Sequence, residues 1–188
     1  MTRFLTLTVT LILAVSSSAT AEPVVFETDS LRLTIGEDGT VRGLMSKPDG
    51  RELVRPGETI PIARIYRGGR FEPSCDSKYG DVTRPWTYVG GRIFAASRTT
   101  REGDRLRIDF AEADATATYR VITRPEYVAF ELIGVSGAPI DRIDLLCLQL
   151  AGLPQRGAWV NFAFDERFGV CLCGGNVRTN AEMDQAGD

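Results

Sequence analysis

The chain contains no histidine, and this absence removes several kinds of chemistry at once. Ser-His-Asp triads, Cys-His pairs and the common zinc hydrolase sites all depend on an imidazole, so this sequence cannot build any of them. Carboxylates, tyrosines, arginines and cysteines are the reactive side chains that remain.

Lysine is nearly absent as well: the 22 basic residues are 20 arginines and two lysines, and the formal net charge is −3. The arginines are spread along the chain and form no basic block. Because phosphate binding needs a basic face, we expect no nucleic-acid partner. We interpret the arginine excess as a composition bias over the surface rather than as anion recognition.

Long apolar runs are missing except near the start of the chain. Arg3 precedes an apolar stretch over residues 4–15, which is too short to span a bilayer, and Ala19-Thr20-Ala21 forms an A-x-A cleavage site before Glu22. These features predict a secretory signal peptide over residues 1–21 and an exported protein, periplasmic or secreted, with no membrane segment after cleavage. Residues 22–188 then make one domain of ordinary size.

Cysteine is scarce, but its spacing carries information. In an oxidising compartment Cys75, Cys147, Cys171 and Cys173 are candidates for disulfides, and four cysteines allow three pairings. Cys171 and Cys173 share one face of a predicted strand, so we expect each to reach a neighbouring strand, with Cys147 as the natural partner. The C-x-C spacing without histidine does not match a zinc site, and we expect neither a metal nor another cofactor.

Helical periodicity is also missing, and short strand-like runs replace it. Leu106, Ile108 and Phe110 alternate with polar residues, which is typical of a strand with one buried face. Turn residues separate such runs at short intervals, so the pattern predicts an all-β fold, an antiparallel β-sandwich or barrel. The predicted strands cover residues 24–28, 31–35, 41–45, 51–54, 60–67, 86–89, 92–99, 105–110, 116–123, 126–134, 140–150, 159–164 and 168–173.

Two glycine pairs and a segment without periodicity divide the middle of the chain. Gly68-Gly69 is expected to end one strand, and Gly90-Gly91 to separate two others. Residues 70–85 contain two prolines and Cys75 and alternate poorly, so we expect a long loop there, of the kind that often carries binding residues.

The most informative run covers residues 158–179, where two strand-like pieces flank the polar group Asp165-Glu166-Arg167. This arrangement predicts a hairpin with a polar turn. Alternation groups Phe162 and Phe164 with Val160, and we expect this face to be buried in the core.

Candidate functional residues are few, and each also has a structural interpretation. Adjacent carboxylates such as Asp165 and Glu166 point to opposite faces of a strand, so they do not form an obvious glycosidase pair, and a role in the turn or in pairing with Arg167 is favoured. Exposed aromatic rings could stack on the apolar face of a sugar, although such rings more often belong to the core. The candidate substrate-binding residues are Trp86, Tyr88, Trp159, Asp165, Glu166 and Arg167, and no catalytic residue can be assigned.

The start of the mature chain resembles a known family. Residues 31–44 (LRLTIGEDGTVRGL) and 47–53 (KPDGREL) form a strand, an Asp-Gly turn, a second strand and a further turn before Glu-Leu. This unit resembles the beginning of galactose mutarotase-like β-supersandwich domains. In exported bacterial glycoside hydrolases such a domain often precedes a catalytic (β/α)₈ barrel. Mutarotases use histidines and a glutamate, so the missing histidine argues against epimerase activity in this chain.

The resemblance leads to an expected function and two alternatives. It implies a supersandwich-like domain that is longer than this chain, so we expect a front part of a longer protein with the catalytic machinery downstream. The expected function is a non-catalytic, carbohydrate-associated N-terminal domain of an exported glycoside hydrolase-like protein. The alternatives are a self-contained secreted or envelope binding protein and a small carboxylate-dependent glycan hydrolase or lyase.

Overall fold

A computed structural model describes residues 22–55, 57–75, 83–157 and 161–175. The predicted signal peptide over residues 1–21 and Trp159 lie outside the described residues. The strands are β1 Val24–Glu27, β2 Leu31–Ile35, β3 Val41–Ser46, β4 Arg51–Glu52, β5 Ala63–Cys75, β6 Thr83–Ala95, β7 Arg98–Glu102, β8 Arg105–Phe110, β9 Ala115–Thr123, β10 Val128–Gly137, β11 Arg142–Leu145, β12 Gln155–Gly157, β13 Phe162–Phe164 and β14 Gly169–Cys171. A short 3-10 turn, Ala111–Ala113, lies between β8 and β9.

The strands in the described ranges form four antiparallel sheets, and the predicted all-β, sandwich-like fold is confirmed. Their orders are β1-β2-β3-β4, β10-β9-β8-β7, β11-β5-β6 and β12-β13-β14. Within the described ranges every regular element is a strand except the one 3-10 turn. Period-2 alternation explains this result, because it gives each strand one apolar face to bury while the other meets water.

One apolar core joins the sheets. In the second sheet, Leu106, Ile108 and Phe110 are fully buried, as their alternation predicts. The first sheet contributes Phe26, whose ring meets that of Phe130 edge to face with centroids 5.3 Å apart. The third contributes Ile65, and all of these residues belong to the same buried cluster. Burial of this shared core is the main favourable term in folding.

Alternation over residues 126–134 predicts that Val128, Phe130 and Leu132 share one buried face, and the far part of β10 departs from this prediction. Val128 and Phe130 pack against the core, but the side chain of Leu132 is 44% exposed. The pairing of β10 with β9 shifts between Leu132 and Gly134. Among the described strands, β10 lies at the edge of its sheet and pairs with β9 alone.

The predicted loop is wrong over residues 70–75 and 83–85, and residues 76–82 lie outside the described residues. β5 continues to Cys75 and β6 begins at Thr83, so the two strands form one long hairpin. Gly68-Gly69 and Gly90-Gly91 do not end strands: Gly69 pairs with Gly90, halfway along the hairpin. Gly68, Gly90 and Gly91 have positive φ angles, which glycine adopts without a steric penalty. Main-chain pairing therefore continues through a segment whose side chains give no strand pattern.

The predicted hairpin around residues 165–167 is confirmed, but the two faces of its first strand, β13, are reversed. β13 and β14 pair antiparallel, with Ala163 opposite Val170. Ala163 is only 2% exposed and belongs to the core, whereas Phe162 and Phe164 are half-buried and stack on each other with centroids 5.1 Å apart. The smaller side chain faces the core, and the expectation that Phe162 and Phe164 are core residues is wrong.

Candidate functional site

The polar turn between β13 and β14 is organised by Asp165. Its Oδ1 accepts hydrogen bonds from the backbone amides of Arg167 at 2.8 Å and Phe168 at 2.9 Å. Its Oδ2 forms an ion pair with Nη1 of Arg51. The Arg51 guanidinium and the two amides hold the pKa of Asp165 well below its usual range, because each of them stabilises the charged carboxylate.

Sequence reasoning did not identify Arg51, which comes from β4 in the first sheet. Besides Asp165, its Nη1 donates to the carbonyl of Gly152 at 3.3 Å, and its Nε lies 3.5 Å from Oδ2 of Asp49. The hydrogen bond and charge of Asp165 raise the pKa of Arg51 above its ordinary value. Arg51 and Asp165 are far apart in the chain, so only the packing of the fourth sheet against the first brings them together.

A shallow depression of about 400 Å³ lies beside this ion pair and is lined by Arg51, Gln155, Asp165, Glu166 and Arg167. Glu166 and Arg167 are exposed. The turn therefore gathers all three residues that the sequence singled out there. Asp165 is already held by Arg51 and by the turn, which is the structural role that the sequence favoured for it.

A second polar group surrounds Tyr88, on the third sheet. The Tyr88 hydroxyl donates to Oδ2 of Asp141 at 2.8 Å and accepts from the backbone amide of Gly69 at 2.7 Å. The same Asp141 oxygen also accepts from the amide of Gly68 at 2.7 Å. The hydrogen bond from Tyr88, followed by those of the amides, lowers the pKa of Asp141, whereas desolvation and Asp141 raise the pKa of Tyr88. The donor at neutral pH is therefore the phenol and the acceptor is the carboxylate.

Three aromatic rings follow one another along the hairpin, and we call Tyr66, Tyr88 and Phe71 the aromatic strip. The Tyr88 ring meets Tyr66 with centroids 5.4 Å apart and Phe71 with centroids 5.2 Å apart, both edge to face. The Phe71 side chain is 46% exposed. Gly69 makes room for the strip, because a Cβ at that position would collide with the Tyr88 ring.

Asp144 and Arg142 of β11 border the strip beside Tyr66. The Tyr66 hydroxyl donates to Oδ2 of Asp144 at 2.7 Å, and Arg142 donates from Nε to Oδ1 of the same carboxylate at 2.6 Å. The guanidinium also lies over the Tyr66 ring, 5.1 Å from its centroid. Desolvation, together with the hydrogen bond to Asp144, raises the pKa of Tyr66 to about 12. Tyr66 therefore stays protonated at neutral pH.

The two groups lie on different sheets. Tyr88 belongs to the aromatic strip on the third sheet, and the residues of the polar turn belong to the fourth. Trp86 lies within β6, but its side chain is outside the described residues. Tyr66 and Phe71 were missed by sequence reasoning: Tyr66 was counted only as a residue of a predicted strand, and Phe71 was assigned to the loop that proved to be a strand.

The cysteines differ from the expected arrangement. Cys147, Cys171 and Cys173 form no disulfide, and the side chain of Cys75 lies outside the described residues. Cys147 is half-buried, and contrary to the expectation it forms no disulfide with Cys171 or Cys173. Instead, Sγ of Cys171 lies 3.2 Å from Sγ of Cys173. Cys173 lies beyond the last paired residue of β14.

The comparisons with known proteins give no match to a family model, to a curated protein or to a solved structure. In the described part of the chain, no three acidic or cysteine side chains come together as metal ligands. The described ranges also contain no membrane-spanning helix.

Proposed function

We propose that this chain is a non-catalytic, carbohydrate-binding N-terminal domain of an exported glycoside hydrolase-like protein. The observation that carries this proposal is the aromatic strip with its carboxylate border. Tyr66, Tyr88 and Phe71 form a continuous run of rings on one side of the hairpin, and Asp141 and Asp144 lie beside it.

The chemistry of the strip suits a pyranose. One face of a pyranose ring carries mainly C–H groups, which pack on an aromatic side chain, while its hydroxyls need hydrogen-bond partners. Phe71 offers an exposed apolar ring without a polar atom. The carboxylates of Asp141 and Asp144 already accept hydrogen bonds from tyrosines, and in Asp144 each oxygen keeps a further lone pair for a ligand hydroxyl, since Oδ1 accepts from Arg142 and Oδ2 from Tyr66.

The carboxylates favour binding over hydrolysis. A glycosidase needs one carboxyl group that gives up a proton and a second one across the scissile bond, roughly 5 to 10 Å away. Asp165 is committed to Arg51 and to the turn amides, and Asp141 to Tyr88 and the glycine amides. Both have pKa values below the ordinary range, which makes them poor proton donors.

The place of the domain in a larger enzyme is proposed from the opening of the mature chain. The strand and turn unit over residues 31–53 resembles galactose mutarotase-like domains that precede catalytic barrels. In the structure this stretch forms β2, β3 and β4 of the first sheet, with the Asp-Gly turn between the first two strands. The sequence encoded after Asp188 tests this part of the proposal, because a following series of alternating strands and helices is expected.

The binding proposal is tested by measuring the affinity of the purified mature chain for a panel of soluble polysaccharides. Phe71→Ala should weaken binding by about fivefold or more, which corresponds to about 1 kcal/mol of lost stacking. Tyr127→Ala is the matched control, because Tyr127 is an equally exposed aromatic residue outside the strip, at the connection between β9 and β10. The control should bind like the unmodified chain.

Two results would contradict the proposal. Equal affinities for Phe71→Ala and the unmodified chain would exclude the strip as the binding surface. Glycoside turnover by the purified chain that disappears in Asp165→Asn or Glu166→Gln would show instead that the polar turn is catalytic. Trp86→Ala and Trp159→Ala, measured in the same panel, show whether either tryptophan extends the surface.

A further inference from the structure

Cys171 and Cys173 are two exposed thiols whose sulfur atoms are in contact. Their Sγ atoms are 3.2 Å apart, and both side chains are exposed to solvent. Residues two apart on a straight strand are separated by about 6.6 Å between Cα atoms, near the upper limit of what a disulfide spans. Because β14 ends at Cys171, the chain can bend there and bring the two thiols together.

The hairpin positions this pair through backbone contacts, which do not involve the sulfur atoms. Cys171 is paired opposite Phe162 in the β13–β14 ladder. The amide of Leu172, between the two cysteines, donates to the carbonyl of Asn161 at 2.8 Å. The backbone is therefore anchored as far as Leu172, and both thiols are exposed to solvent.

We propose that Cys171 and Cys173 form a reversible dithiol–disulfide pair that exchanges with low-molecular-weight disulfides. In the first step, the Cys173 thiolate attacks one sulfur of the small disulfide, so that a mixed disulfide forms and one small thiolate leaves. In the second step, the Cys171 sulfur attacks Cys173 within the mixed disulfide and releases the second small thiolate. The cysteine pair loses two electrons and two protons, and the small disulfide is reduced to two thiols.

The surroundings of the cysteines support these roles. The hydrogen bond with Cys173 is the main cause that raises the pKa of Cys171, with desolvation as the next cause, so Cys171 keeps its proton longer than an isolated thiol and suits the resolving role. Cys147 is different, because burial raises the pKa of its thiol and restricts access to it. It therefore provides an internal control for accessibility.

The sequence makes the test direct, because trypsin places the cysteines on three separate peptides. Residues 168–178 contain Cys171 and Cys173, residues 143–156 contain Cys147, and residues 71–78 contain Cys75. The full chain is reduced, freed of reductant and treated with oxidised glutathione before digestion without reduction. We expect the 168–178 peptide to lose two hydrogen atoms and to return to the dithiol mass when reduced glutathione is added in excess.

Single variants test whether the two thiols act as a pair. In Cys171→Ser the resolving thiol is gone, so the 168–178 peptide should carry one glutathione adduct instead of an internal disulfide. Cys147→Ser should leave the exchange of the 168–178 peptide unchanged. A 168–178 peptide that stays a dithiol, that is linked to the Cys75 or Cys147 peptide, or whose disulfide resists excess reduced glutathione would overturn the proposal.

Discussion

At the scale of single residues, both carboxylate oxygens of Asp165 are engaged in contacts that stabilise the fold. It closes its own turn through two backbone amides and ties the fourth sheet to Arg51 of the first. The adjacent Glu166 is exposed, so two neighbouring acidic residues have different roles. This difference follows from position in the turn and could not be read from the sequence.

The stability of the protein should depend on pH through Asp165. Because the folded state lowers the pKa of this carboxyl, its contribution is fully present above the unfolded pKa of about 4 and is lost as the pH falls through the folded pKa. Asp165→Asn should therefore lower the urea midpoint at pH 7, and the difference from the unmodified chain should shrink below about pH 4. Glu166→Gln is the control, with an expected midpoint close to that of the unmodified chain.

Two results would contradict this expectation. If Asp165→Asn unfolds at the same urea concentration as the unmodified chain at pH 7, then the ion pair with Arg51 and the turn hydrogen bonds do not stabilise the fold. A change of equal size in Glu166→Gln would attribute the effect to the loss of negative charge in general.

At the scale of elements, the β5–β6 hairpin decides where the candidate binding surface lies. It presents Tyr66, Phe71 and Tyr88 on one side because glycines replace larger residues at its middle. Alternation of side chains was too weak to reveal strands over residues 70–85, since this part of the hairpin contains prolines and a shift in register between Glu72 and Ser74. The antiparallel main-chain ladder continues across that shift.

Gly69→Ala should disturb the aromatic strip. The added Cβ would collide with the Tyr88 ring, so the ring must move and its contacts with Phe71 and Tyr66 must change. We expect reduced polysaccharide binding of a size similar to that of Phe71→Ala. Near-ultraviolet circular dichroism should also change, because it reports the packing of aromatic side chains.

Gly134→Ala is the matched control for this substitution. A Cβ at Gly134 meets no atom within 4 Å, and Gly134 lies in β10, outside the strip. Its binding and aromatic dichroism should equal those of the unmodified chain. If Gly69→Ala behaves in the same way, the position of Tyr88 does not depend on the space that Gly69 provides.

At the scale of the whole molecule, sheets from distant parts of the chain enclose one core. Phe26 from the first sheet, Phe110 from the second and Ile65 from the third belong to it, together with Ala163 from the fourth. Arg101 of β7 links the first two sheets through a hydrogen bond of 2.8 Å to the carbonyl of Val25. The candidate sites lie outside this core, on a sheet face and a hairpin turn.

Export and processing are also properties of the whole chain. The basic residue, the short apolar stretch and the Ala19-Thr20-Ala21 site predict cleavage after Ala21. Intact-mass measurement of exported protein should therefore give a mature chain that begins at Glu22. Exported material that retains residues 1–21 would show that the stretch is not a cleaved signal peptide.

The sequence by itself determined the fold class, the buried faces of strands such as β8 and the hairpin around Asp165. These features follow from local rules, because side-chain alternation and turn residues act over a few positions. Tertiary structure alone decided that Ala163 rather than Phe162 faces the core, that Arg51 reaches Asp165, and that Tyr66, Tyr88 and Phe71 line up beside Asp141 and Asp144. The physical reason is that these contacts depend on the pairing and packing of strands, several of which are far apart in the chain. The local side-chain pattern does not specify which strands will pair or pack together.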